Sequence, residues 1–422
     1  MKFSLKIAVS ALISIMYIFN LNSVLISCIS LSLFMMLFAL NKKHYNNTLK
    51  SLIDLLIVSL PFSFKPLVGD NFFSLFILIQ LLIILTSIFK KRGSSTVIDK
   101  LLWGGLLISI NILYIFTQIN YLSFEFELLI KTNIFILTLY CLSNKSSITS
   151  KQLSDYLRLY CLMGLVAAVS VFIQYLFFKY LGITDIGNQA ELGQIRKGFS
   201  GLFYDYSIMS VYLASNALII LHFFINKVRV VNKSIDIILF LVFIGASVLT
   251  SARSGIAAFI LSFIFLLIKE RQIKVLVYSL LFGGPLSLGA FYLLTINRGE
   301  NINYDSGRLE NYERAIEFFD KNPLLGSGVI GYNPITQYML PHNFILDFLV
   351  NYGIVITIVL LSALAYYLYQ SFKYVPILGY LLLILLLGAM FHASLINTHY
   401  IMIPLILFLL VNNTRRTQSL GE

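Results

Sequence analysis

The chain has 422 residues, of which 58% are hydrophobic and 12% charged, against roughly 45–50% apolar and ~25% charged in soluble domains. Mean hydropathy is +0.86. These values exclude a soluble globular domain, a disordered tail and a disulfide-stapled secreted module. A β-barrel is excluded too, because its strands alternate apolar and polar residues, whereas the runs here are continuously apolar. The fold class that remains is all-α, a polytopic membrane bundle of about 12–14 transmembrane helices at ~20 residues each.

In chain order the apolar runs fall near 5–19, 23–40, 51–68, 72–89, 101–118, 124–142, 159–178, 202–225, 235–250, 254–268, 275–295, 342–369, 377–391 and 400–411. Leu25-Ile26-Ser27-Cys28 is spaced like a lipoprotein cleavage box. Apolar sequence nevertheless continues past it to Leu40, and Asn20 and Asn22 break the run before it. The start therefore reads as two uncleaved helices. Residues 1–422 are expected to form a single integral membrane domain. Cys28, Cys141 and Cys161 lie in or beside apolar runs without a CxxC pair, so they read as small hydrophobes, with no disulfide and no metal site.

Charge sets the orientation. Lys2 and Lys6, alternate connections and the tail hold 21 of the 31 Lys and Arg residues. The opposite connections hold ten of them and thirteen of the nineteen acids. The positive-inside rule then places both termini in the cytoplasm. The net charge of +12 is thus mostly a topology signal, and no nucleic-acid partner is expected. No internal repeat is evident in the sequence, which weighs against many transporter architectures. The two long polar connections, 179–201 and 296–341, both fall on the outer side.

An outward site has no ATP and no cytoplasmic nucleotide sugar. The sequence contains no P-loop, no GxGxxG after a strand, no HExxH and no DxD pair, so neither metal nor cofactor is expected. Chemistry there needs a substrate already activated in the membrane, and a polyprenyl-diphosphate-linked sugar fits. Its diphosphate leaving group needs cations. The acceptor hydroxyl needs a place for its proton.

Four regions supply such groups. Thr250-Ser251-Ala252-Arg253-Ser254-Gly255 is a tight outer hairpin in which Ser251 or Ser254 is expected to cap the next helix. Arg253 then lies at a helix N-terminus, where the dipole favours an anion; a snorkelling arginine is the plain alternative. In 179–201, Arg196 and Lys197 suit a phosphate or snorkel beside Phe199. Asp205 holds a sugar hydroxyl or pairs with Arg196. In 296–341, the recurrence of Tyr312, Ala315, Ile316 and Phe319 predicts an amphipathic helix over 309–320, ended by Asn322-Pro323. Arg308 starts it, and Arg314 has Glu310 four residues before it, an ordinary helical pair. His342 and Asn343 close the same loop, with Asn343 a candidate orienter. His392 and His399 flank the last outer turn as rival bases.

In this order, these pieces resemble the O-antigen polymerase and O-antigen ligase superfamily. The carriers are Arg196 to Tyr206, Thr250 to Gly255, and Ser306-Gly307-Arg308 with Tyr312 four residues on, where Trp is common. Asn322-Pro323-Leu324-Leu325-Gly326-Ser327-Gly328 and Pro341-His342-Asn343 follow, with Gly353 ten residues after Asn343. The resemblance covers mainly 190–355. It implies a metal-independent membrane glycosyltransferase in which Arg253 and Arg308 hold the lipid diphosphate and His342 serves the acceptor. The implied substrate is an undecaprenyl-diphosphate-linked oligosaccharide, handled in the inner membrane with the active site facing the periplasm. Membrane lipid, a chain-length regulator and a flippase are the implied surroundings. The expected activity is polymerisation of repeat units. Ligation of the glycan onto lipid A core and lipid-glycan transport are the alternatives.

Overall fold

A computed structural model of the chain describes residues 3–19, 23–45, 47–67, 73–89, 103–112, 126–142, 148–184, 186–187, 189–192, 196–278, 281, 308–326, 341–391 and 399–419. Several helices begin where the sequence offers a cap. Asn47 accepts from Leu49 and Lys50 N–H to start α3 (Thr48–Val58). Thr149 and Gln152 form a reciprocal capping box at α7 (Ser150–Leu181). Asn232 caps α9 (Lys233–Leu249). Each cap satisfies N–H groups that have no partner within the helix. Pro61 lies in the 3-10 turn Leu60–Phe62, and Pro376 opens α14 (Pro376–Ala389), where its missing N–H costs nothing.

The remaining helices are α1 (Phe3–Ile18), α2 (Ser23–Tyr45), α4 (Leu75–Phe89), α5 (Trp103–Ile112) and α6 (Phe126–Leu142). Further along come α8 (Tyr206–Ile225), α10 (Arg253–Lys269), α11 (Ile273–Tyr278), α12 (Arg308–Lys321), α13 (Phe344–Tyr374) and α15 (Met402–Ser419), the last after a 3-10 turn at His399–Ile401. Four helices in the described residues are long and apolar enough to cross a membrane: Val24–Lys43, Ser150–Leu181, Tyr206–Ile225 and Phe344–Tyr374. Shorter apolar helices pack among them. The fold is an all-α polytopic membrane bundle. Its only described sheet is a hairpin, β1 (Gln189–Leu192) against β2 (Arg196–Phe199), which the sequence reading does not predict.

Helix α8 is the central post, packed against α7, α9, α10 and α14. Small residues set the distances. Ser210 on α8 bonds Ser247 on α9 at 2.8 Å. A Cβ on Gly255 of α10 would lie 2.5 Å from the Ser210 carbonyl oxygen. Such close approach is how helices associate where burial from water supplies no driving force. The interior is aromatic: Tyr160, Tyr212, Tyr367, Tyr380 and Tyr400 are all fully buried. The outside of α9 presents Ile237, Ile238 and Leu241, as a surface solvated by lipid requires.

Helix α12 falls where the sequence predicts one, but its buried stripe is rotated. Ala315 is fully buried against Val350, with Phe318 and Phe319 packed around them. Ile316 is 48% exposed. The small Ala315 lets α12 approach α13 closely, so the contact centres there and turns Ile316 outward.

Candidate functional site

Contacts sort the polar groups into two ends of the bundle. Asp205 caps α8, its carboxylate accepting from Ser207 N–H at 2.6 Å and Ile208 N–H at 3.0 Å. The carboxylates of Asp205 and Asp347 lie within electrostatic reach of the Tyr204 hydroxyl. The start of α13 therefore stands at the same end as the start of α8. Helices α8, α9 and α10 run up, down and up, so Arg253 at the head of α10 belongs to this end too. His399, Tyr400 and the Phe62–Phe64 turn complete it: Phe64 contacts Phe203, Tyr204 and His399. The opposite end holds the Lys6–Asp54 ion pair, Lys50 on Gln152 and Tyr380 donating to Glu270.

At the hairpin, neither serine caps α10. The N-cap is Ala252, which has no capping side chain, and Ser251 takes φ +64°. Thr250 Oγ1 instead accepts from Ala252 N–H at 3.2 Å. The αL turn at Ser251 puts the cap position at Ala252, one residue past Ser251 and two before Ser254, so Ser254 falls inside the first turn. Its hydroxyl is buried without a hydrogen-bond partner. Arg253 is half-buried beside it. The first turn of α10 thus joins an uncapped helix N-terminus, an unused hydroxyl and a guanidinium, a set suited to an anion.

His342 is half-buried just before α13. Asn343 is spent as the cap of that helix, accepting from Ile345 and Leu346 N–H at 3.0 and 3.3 Å. This is a different duty from orienting His342. Asp347 follows in the first turn, 3% exposed, and accepts from Asn351 Nδ2 at 2.9 Å. The membership of Asp347 in this end needs the fold, which brings the start of α13 near the start of α8.

Arg308 is the first residue of α12. Arg314 pairs with Glu310 at 2.5 Å, the helical pair its spacing suggests. Arg196 and Lys197 are consecutive residues of β2, in register with Leu192 and Glu191. The stretches carrying Ser306-Gly307 and Ser327-Gly328, and His392, lie outside the described residues. Lys131 pairs with Glu127 near the start of α6.

His399 is held flat between Phe64 and Phe76, with ring centroids 4.5 and 4.7 Å away. Burial, with a further push from Lys131, drives its pKa down to about 3 against the opposing hydrogen bond to the Ser63 backbone. An imidazole so shifted is neutral at any physiological pH and is a poor general base. No group of metal-ligating side chains occurs among the described residues.

Fold and site together define a polytopic helical membrane protein with an anion-suited helix head, a buried and a half-buried carboxylate and a half-buried histidine at one end. Residues 238–361 match the family model described as O-antigen ligase, so this segment is a domain of the O-antigen polymerase and ligase superfamily. The match spans Arg253, Arg308, Arg314, His342, Asn343 and Asp347, and excludes Arg196, Lys197 and Asp205. No curated protein matches the chain. The family is one of glycosyltransferase-like enzymes acting on lipid-linked glycans.

Proposed function

We propose that the chain is a surface-polysaccharide polymerase, joining undecaprenyl-diphosphate-linked repeat units on the outer face of the cytoplasmic membrane with both termini cytoplasmic. The observation that carries this reading is the first turn of α10. There an uncapped N-terminus, the unpartnered Ser254 hydroxyl and Arg253 meet at the same end of the bundle as His342. Arg253 and the N–H groups of α10 take the diphosphate, and Arg308 and Arg314 approach from α12. The acceptor hydroxyl attacks the anomeric carbon while the bond to the diphosphate oxygen breaks. Its proton passes to His342, and undecaprenyl diphosphate leaves. Direct displacement inverts the anomeric configuration. No metal takes part in this scheme.

The ligase reading shares every one of these residues. Polymerase is preferred because the Ser306-Gly307-Arg308, Asn322 to Gly328 and His342-Asn343 series looks more like that of polymerases. A transporter would line a path with intramembrane charges. Here Asp54 is tied to Lys6 at one end while Asp347 and Lys131 belong to the other, which favours an enzyme.

The test uses purified protein, a synthetic undecaprenyl-diphosphate repeat unit and EDTA. A ladder of rising length is expected. Product only on adding lipid A core makes the chain a ligase, and no product from the native repeat unit with either acceptor sinks the enzyme reading. Arg253→Ala should lower the rate about 10²–10³-fold, the cost of losing one preorganised donor. His342→Ala should reduce it comparably. Unchanged polymer from both variants would overturn the site.

A further inference from the structure

Helix α13 is broken near its outer end. Gly353 has φ +66° and ψ 179°, a conformation essentially confined to glycine. A break of this kind frees N–H groups of the next turn. One of them, Ile354 N–H, donates to the Pro323 carbonyl at 2.8 Å. Pro323 belongs to the turn that runs directly off the end of α12, closed by Gly326 N–H donating to Asn322 C=O at 2.8 Å. Gly326 itself has φ +73°. A Cβ on Gly326 would lie 2.4 Å from Gly353 N, and a Cβ on Gly353 would lie 2.3 Å from the Leu324 carbonyl oxygen. Two glycine backbones thus meet face to face, with no room for a side chain on either.

We propose that the Gly326–Gly353 contact is a latch that fixes α12, with Arg308 and Arg314, onto the half-helix headed by His342, and that both glycines are positioning residues for glycosyl transfer. This rests on the function proposed above. A straight α13 would keep Ile354 N–H inside its own ladder and leave Pro323 no donor. It would also put a helical turn where Leu324 lies. The break therefore serves the docking. The apolar contact beside it, Ala315 on Val350 with Phe318 and Phe319, is a cluster separate from the main core. Releasing the latch consequently frees α12 without unpacking the bundle. With α12 free, its arginines lose their fixed distance from His342.

The test uses Gly326→Ala and Gly353→Ala, singly and together, in the full chain. Docking is read from disulfide formation between Ala315→Cys and Val350→Cys in an otherwise cysteine-free chain. Each glycine variant should slow that cross-link. Each should lower kcat by about 10²-fold, the cost of small misplacements far from the chemistry, with KM changed less. The double variant should be no worse than the worse single, because one contact is lost in every case. Oxidising the cysteine pair should re-dock α12 and recover most of the transfer rate. Unslowed cross-linking in both single variants overturns the latch. Lost transfer that the cross-link does not recover overturns the positioning role. Cross-linking reads the latch even if the wild-type chain forms no polymer, so the two proposals fail separately.

Discussion

His399 shows what a side chain's neighbours do to its chemistry. Its ring is buried, and Nδ1 has no hydrogen-bond partner. The ring is held between two phenyl faces. The sequence shows only an outer-turn histidine on a par with His342, because neither burial nor the flanking Phe64 and Phe76 is local to it. A consequence follows for stability. The folded pKa is about 3, below the ~6.5 of an unfolded chain. The unfolded state therefore takes up a proton first as pH falls, and stability is lost between those two values. From pH 7 to pH 5 the loss due to this group is on the order of 2 kcal/mol. Thermal unfolding in detergent at the two pH values should show it. His399→Phe, which keeps the stack, should flatten the difference, and an unchanged pH slope in that variant would remove His399 as the cause.

Between elements, the Lys6–Asp54 pair ties α1 to α3, and Asn41 Nδ2 of α2 donates to the same Asp54 carboxylate at 2.7 Å. All three side chains are nearly inaccessible. Charges buried this far are tolerable only in company. Lys6→Met strands a buried carboxylate and should destabilise the bundle by about 3–5 kcal/mol. Lys6→Met with Asp54→Leu should recover most of that, since an apolar pair of similar volume carries no desolvation cost. Denaturation in detergent compares them, and a double variant as weak as the single would show that the charges hold the helices together on their own account. The sequence shows Lys6 ahead of the first run and Asp54 within the third. Their meeting depends on how α1 and α3 pack. The helices themselves are far more legible. Caps such as Asn47, Thr149 and Asn232, and proline openings such as Pro376, lie in the sequence as local signals. The Gly353 break does not, because one glycine inside an apolar run reads as continuous helix until Pro323 and Gly326 are placed against it.

At the scale of the whole molecule, the bundle separates its polar groups into two ends, and the Lys/Arg distribution expects Lys6 and Asp54 to lie inside and Arg253, Asp205 and Asp347 outside. Single cysteines test this in an otherwise cysteine-free chain. Leu309→Cys on α12 and Asn226→Cys after α8 are both at exposed positions. A membrane-impermeant thiol reagent added to intact cells with a permeable outer envelope should label the first and not the second. The reverse pattern would invert the molecule and move the site away from any lipid-linked substrate presented on the outer side.

The sequence by itself determined the all-α membrane class, the approximate spans, the candidate arginines and His342, and the family resemblance that the match over 238–361 carries. These are properties of composition, of period and of short motifs, and all are set by residues near one another in the chain. Only the tertiary structure decided that α10 begins uncapped beside an unused Ser254 hydroxyl, that Asp347 joins Asp205 at Tyr204, that His399 is a buried neutral stack, and that α12 is seated on a broken α13. Each depends on which helices become neighbours. That choice rests on side-chain packing between segments tens to hundreds of residues apart, which no local pattern encodes.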